Sequence, residues 1–147
     1  MNKEIEKISL KGIFQLKIYK QGVLVDEFEE SNLIVDNAKI QLSELTAGQV
    51  INRHITKIAF GTNSTEPDPS DSIITDQYAK PISSFSYPEN GRVQFNWELG
   101  ISENNGMAIM EFGLLSENGS LFARKSRMNA INKGSDISLE GSWTIIF

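Results

Sequence analysis

The chain has 147 residues, enough for one domain with a genuine core and too few for two. A formal net charge of −5 argues against a dedicated nucleic-acid binder, because neutralising phosphates takes clustered Lys and Arg, and the absence of cysteine removes disulfides, thiolate metal sites and cysteine nucleophiles. No apolar run approaches the roughly 18 residues of a spanning helix, and MNKEIEKISLKG at the amino terminus alternates charge where a signal peptide has an apolar core, so a soluble protein not exported by the standard signal route is expected.

The first strand expected is Ile13 to Tyr19, where Phe14, Leu16 and Ile18 alternate with Gln15, Lys17 and Tyr19 at the period of a half-buried strand. Gln21-Gly22 turns the chain into Val23 to Glu29, whose acidic end Glu27-Phe28-Glu29-Glu30 suits an edge or rim better than a core. The one helical pattern follows, Asp36 to Ala47, with Ala38, Leu42 and Leu45 on one side, Asp36 as N-cap and Gly48 beyond its end; it reads as a lid over one end of the core.

Ile55 to Phe60 is the next strand, and it runs into Gly61 to Ser72, a proline-containing polar stretch expected to be an exposed loop. Ile82 to Tyr87 is a short strand, Asn90-Gly91 a turn, and Arg92 to Ile101 the cleanest alternation in the chain, with Val93, Phe95, Trp97, Leu99 and Ile101 facing one way. Met107 to Lys125 then predicts an antiparallel hairpin about Asn118-Gly119. In its first arm Met110, Phe112 and Leu114 share one face, and Ile109, Glu111, Gly113 and Leu115 the other, as in a central strand covered on both sides. Gly113 implies a close neighbour, for which a tryptophan is a candidate. The second arm is Leu121 to Met128, and the last strand, Asp136 to Phe147, puts Ile137, Leu139, Trp143, Ile145 and Phe147 on one face. About eight strands with Gly and Asn turns and one short α-helix predict a mainly β chain, an antiparallel β-sandwich forming one domain over residues 1–147.

Residues with possible chemistry are few. His54 is the single histidine and defines no metal pair or triad. Glu98, Glu103 and Glu111 lie on or near strands expected to be neighbours, and a glycosidase would need two such carboxylates at a fixed separation. Asp68, Asp71 and Asp76 sit in or beside the long loop without the spacing of a calcium loop. Arg124, Lys125 and Arg127, followed by Lys133, form the densest positive cluster, either the solvated side of a strand or a patch for an acidic partner surface. No catalytic set, metal site or cofactor is expected.

The order of several pieces carries a resemblance. Asn32-Leu33-Ile34-Val35-Asp36, Ile58-Ala59-Phe60-Gly61-Thr62-Asn63-Ser64-Thr65-Glu66-Pro67 followed by Asp71, Glu111-Phe112-Gly113-Leu114-Leu115, Leu121-Phe122-Ala123-Arg124, Ile131-Asn132-Lys133 and Leu139-Glu140-Gly141-Ser142-Trp143-Thr144-Ile145 resemble a family of small tailed-phage structural proteins, found also in prophages and described as tail or tail-fibre-associated. The resemblance runs from about Ile18 to Phe147; Met1 to Gly12 has no counterpart and is read as a docking arm.

It implies a non-enzymatic virion protein, made in the bacterial host cytoplasm, that meets other virion proteins and copies of itself, with a homotrimer expected by analogy with fibres. Neither nucleic acid nor membrane is an expected partner. Gly61, Thr62, Pro67, Arg124, Lys125 and Arg127 are the candidate protein-interface residues. Alternatives are a head or neck decoration protein, and a carbohydrate-binding sandwich using Tyr78, Tyr87 or Trp97.

Overall fold

The computed structural model describes residues 9–147. Among the described residues the fold is mainly β, with one short helix. Nine strands, β1 (Lys11–Lys20), β2 (Val23–Ile34), β3 (Ile55–Gly61), β4 (Tyr78–Pro81), β5 (Ser84–Ser86), β6 (Arg92–Leu99), β7 (Ala108–Ser116), β8 (Leu121–Asn132) and β9 (Ile137–Ile146), make one antiparallel sheet in the order β4-β3-β7-β8-β2-β1-β9-β6-β5. Helix α1 spans Asn37–Ala47.

The expected sandwich is this single sheet curled until its halves face each other. Its two outermost strands, β4 and β5, are consecutive in sequence, and the link between them pairs with both halves: Ile82 N–H donates to the Thr56 carbonyl and Ser83 N–H to the Asn96 carbonyl. Of the run Ile82 to Tyr87, expected as one strand, Ser84–Ser86 is strand β5 and Ile82 and Ser83 are the crossing point between layers. At the other corner β2 pairs with β1 along its length but with β8 only through Leu33–Arg124 and Ile34–Ala123.

Aromatic side chains fill the space between the layers. Phe14 of β1 meets Phe112 of β7 with ring centres 4.8 Å apart, and Trp97 of β6 meets Phe60 of β3 at 5.5 Å, so residues from both halves share one core. These rings bury large areas with edge or tilted contacts that add to area burial. β6 follows its alternation as expected, with Phe95, Trp97 and Leu99 inside and Glu98 outside, but it stops at Leu99 and leaves Ile101 exposed, because Glu103 N–H turns back to the Gly100 carbonyl. Phe147, expected inside, is also largely exposed.

β7 is covered on both sides. Phe112 and Leu114 enter the main core, and Leu115 enters a smaller one with Val35, Ala59, Ile74 and Leu121. Ile109 joins the main core, against simple alternation, because the pairing with β8 shifts register between Ile109 and Glu111 and turns the preceding side chain over. A Cβ on Gly113 would lie 2.8 Å from Ile74 Cγ1, so the close neighbour is Ile74; Trp97 packs over Gly141 instead. In the β7–β8 turn only Gly119 takes a positive φ (88°), and Ser116 N–H reaches the Ser120 carbonyl, so the connection is a longer loop ending in a left-handed glycine, not a two-residue Asn-Gly turn.

α1 packs Ala38 and Leu42 on the core, while Leu45 stays 40% exposed. Gly48 closes it in the left-handed region with its N–H on the Glu44 and Leu45 carbonyls; Asp36 holds the N-cap position without a side-chain cap bond. Of the expected docking arm, residues 1–8 lie outside the described residues, whereas Lys11 and Gly12 already pair with Ile146 and Ile145. No helix among the described residues is long and apolar enough to cross a membrane.

Candidate functional site

The segment after β3 is held down at its base. Thr62 N–H donates to the Thr75 carbonyl, and Thr62 Oγ1 to Asp76 Oδ2 at 2.9 Å, so the outgoing and returning chains lie side by side. Beneath them is Glu111, a carboxylate in the middle of β7 with no exposed surface. Its Oε2 accepts from Asn63 N–H at 2.7 Å and its Oε1 from Thr75 N–H at 3.0 Å, so one side chain grips both legs of the loop. Gly61 completes the fit: a Cβ there would lie 2.5 Å from Ile74 Cγ2 and 2.6 Å from the Thr75 carbonyl oxygen.

Arg124, opposite Gly113 on β8, supplies the counter-charge. Nη2 donates to the Asn63 carbonyl at 2.9 Å and to Glu111 Oε2 at 3.3 Å, and Nη1 donates to Asp71 Oδ2 at 3.0 Å. A planar guanidinium with a forked donor set suits this three-way contact; a lysine would not reproduce it. Asp71 Oδ2 also accepts Asp68 N–H, and Asp68 Oδ1 accepts both the N–H and the hydroxyl of Ser70. The Ser70 hydroxyl and then its amide hold the Asp68 carboxyl below its ordinary range. Pro69 offers its carbonyl to Asp36 N–H at the start of α1. Ser64, Thr65 and Glu66 are left on the outside of a loop that is pinned at its base, flank and tip.

Beside the loop β2 and β8 part company. Past the Leu33–Arg124 pair their backbones no longer bond, and side chains bridge the gap: Lys125 Nζ pairs with Glu30, and the Arg127 guanidinium lies 5.0 Å from the centre of the Phe28 ring. A groove of about 640 Å³ opens here, walled by Phe28, Leu33, Pro67, Lys125 and Arg127 among others. Asn32 Oδ1 and Arg127 Nη1, both on its wall, are enclosed without a hydrogen-bond partner among the described residues. Burial lowers the Arg127 pKa, against the raising effect of Asp26 and Glu30.

Of the candidate interface residues, Pro67, Lys125 and Arg127 thus line one groove, and Thr62 stands at the loop base. Gly61 and Arg124 are interior. The positive cluster does not exist as a patch: Arg124 and Lys133 are each 2% exposed, and Lys133 Nζ binds Asn105 Oδ1 at 2.7 Å. Burial lowers the Lys133 pKa, opposed by Glu103 and Asp136. On β8, Arg124 turns to the acids under the loop, Lys125 to Glu30 of β2, and Arg127 to the Phe28 ring and the Asn129 carbonyl, so the three do not form one solvated face.

The carboxylates considered for glycoside chemistry have separate surroundings. Glu98 is exposed opposite Glu140, Glu103 binds Lys80 Nζ at 2.8 Å and the Gly100 N–H at 3.0 Å, and every approach to Glu111 is closed. Asp68, Asp71 and Asp76 each accept from protein donors, and no group of three His, Cys, Asp or Glu side chains among the described residues is placed to hold a metal ion. His54 is exposed, with its carbonyl on Glu117 N–H.

Among the aromatics, Trp97 is buried, Tyr78 is half-buried on Glu103, and Tyr87 is 75% exposed. Tyr87 and Phe85 rim an apolar groove of about 430 Å³ with Leu45, Phe95 and Phe147. Sequence reasoning did not identify Asn63, Ile74 or Thr75 as part of the loop support; the available signal was Glu111, an acid amid apolar residues of a central strand, which must find buried donors. No protein-family model, curated protein or solved structure matches this chain.

Proposed function

We propose that the chain is a non-enzymatic structural component of a tailed-phage or phage-derived particle, a tail, baseplate or fibre-linked adaptor that works by presenting the Thr62–Asp76 loop and the adjoining groove to neighbouring virion proteins. The observation that carries this reading is the Glu111–Arg124–Asp71 cluster. A buried ion pair adds little net stability, because desolvation offsets the attraction. Here its hydrogen bonds go to the loop backbone at Asn63 and Thr75, so its effect is to fix a surface shape. A loop ordered in advance docks without the entropy loss of ordering it at contact.

The resemblance to phage structural proteins supports the same reading from another side. Gly61, Asn63 and Asp71 from one of its pieces, Glu111 from a second and Arg124 from a third meet at this cluster. Mass spectrometry of purified particles is the test: the protein is expected there in fixed proportion to the other tail proteins, and its restriction to the lysate overturns the reading. Self-association as a homotrimer belongs to the proposal, and light scattering of the purified chain checks it.

The exposed Tyr87 and Phe85 favour a second reading, carbohydrate binding at the host surface, now without Trp97. Glycan-array binding that Tyr87→Ala abolishes would select it.

A further inference from the structure

We propose that the free edge of β2, from Val23 to Glu29, accepts an extended lysine- or arginine-bearing segment of a partner protein as an added β-strand. On one side β2 is paired with β1 from Val23 to Asn32. On the other, only Leu33 and Ile34 have a strand partner among the described residues. Backbone donors and acceptors along the rest of that side face outward, which is the template that strand addition uses. Most sheet edges lie at the ends of the strand order; this one opens in the interior, because β8 diverges and side chains alone span the gap. The Lys125–Glu30 pair closes the inner end and the Arg127 guanidinium lies over Phe28, so the backbone edge from Val23 to Glu29 meets side chains there but no strand among the described residues.

Charge selects the occupant. Asp26, Glu27, Glu29 and Glu30 are all exposed, and only Glu30 has an ion-pair partner among the described residues. A single-sign edge does not block every strand. It repels another acidic strand, including the same edge of a second copy laid beside it, and attracts a basic one. Val23, Leu24 and Val25, exposed by 64%, 43% and 55%, offer apolar contacts at the hairpin end for the side chains between the cationic ones. The edge borders the groove at Phe28, but the inference does not rest on the particle reading, because it takes a partner of any origin.

The probe is a capped peptide of about nine residues, the length of a strand, alternating lysine with valine and threonine, with a glutamate counterpart as control. Fluorescence anisotropy with the full chain is expected to show binding of the lysine peptide that weakens at least about tenfold between about 0.05 and 0.5 M salt. Amide hydrogen exchange is expected to slow at Val23–Glu29 and nowhere else on the sheet. In Glu27→Lys/Glu29→Lys the preference reverses to the glutamate peptide; Glu27→Gln/Glu29→Gln, which keeps side-chain shape, loses the preference about tenfold and guards against a misfolded reversal variant. Equal binding of both peptides, protection mapped elsewhere, or exchange showing Val23–Glu29 already covered by a second copy overturns the proposal. Particle mass spectrometry is unaffected by any of these outcomes.

Discussion

Arg124 and Lys125 are neighbours on β8 with the same charge, and they do opposite things. Arg124 is turned to the loop side, 2% exposed, with three acceptors around its guanidinium. Lys125 is turned to the rim of the main core beside β2 and pairs with Glu30, a half-exposed acid. Strand geometry forces the divergence, since successive side chains leave a strand on opposite faces. The loop side of β8 is roofed over and the β2 side is open at its edge, so one cation becomes a fixed internal part and the other a surface contact. Backbone pairing ends between the two regions. On the clamp side buried polar bonds hold the structure, and on the seam side two half-buried cations meet one exposed acid and one ring.

The largest effect is expected from Arg124→Leu, which strands the Glu111 charge in the interior: a loss of about 3–5 kcal/mol in urea unfolding. Adding Glu111→Leu should restore much of that stability while amide exchange in residues 62–76 speeds up. A double variant with an unchanged loop would break the comparison, because the cluster would then not be what fixes the surface. Gly61→Ala should lower stability by about 1–3 kcal/mol through overlap with Ile74 and the Thr75 carbonyl, with faster loop exchange.

On the seam the effects are smaller. Arg127→Ala should cost about 0.5–1 kcal/mol through the lost Phe28 contact. Lys125→Ala should cost under about 1 kcal/mol, an effect that salt reduces, since its partner is largely solvated. A seam variant as damaging as Arg124→Leu would show that the corner at β2 depends on these contacts.

The Lys80–Glu103 pair gives a reference point in pH. The Lys80 hydrogen bond first, with Gly100 N–H and Tyr78 assisting, holds the Glu103 pKa below its ordinary 4.5 against the raising effect of burial. A depressed carboxyl pKa contributes stability that is present above the ordinary value and lost as pH falls through the depressed one. Lys80→Met should therefore remove under about 1 kcal/mol above that range and flatten the loss of stability on acidification, as measured by urea unfolding across pH.

Much of the fold could be read from residue pattern. The alternations of Phe14, Leu16 and Ile18 and of Phe95, Trp97 and Leu99 placed core faces correctly, and Gly113 announced a close neighbour. The misplaced elements share a cause. Ile109 fell on the wrong face because a register shift is a property of two strands together, and the strand expected from Ile82 to Tyr87 is present only as Ser84–Ser86 because Ile82 and Ser83 cross between layers. The loop looked like an ordinary exposed connection because its supports, Glu111 and Arg124, lie far along the chain.

Local chemistry along the chain was sufficient to determine that this protein would be β-rich, acidic, free of cysteine and punctuated by glycine turns, because those properties depend on each residue and its near neighbours. Tertiary structure alone decided that one sheet would curl to bring β4 and β5 together, that Arg124 would be enclosed while Lys125 stayed at the rim, and that β2 would keep an open acidic edge. Such outcomes depend on which strands end up side by side, and a buried charge or an unpaired backbone can be recognised only once its neighbours across the sheet are in place.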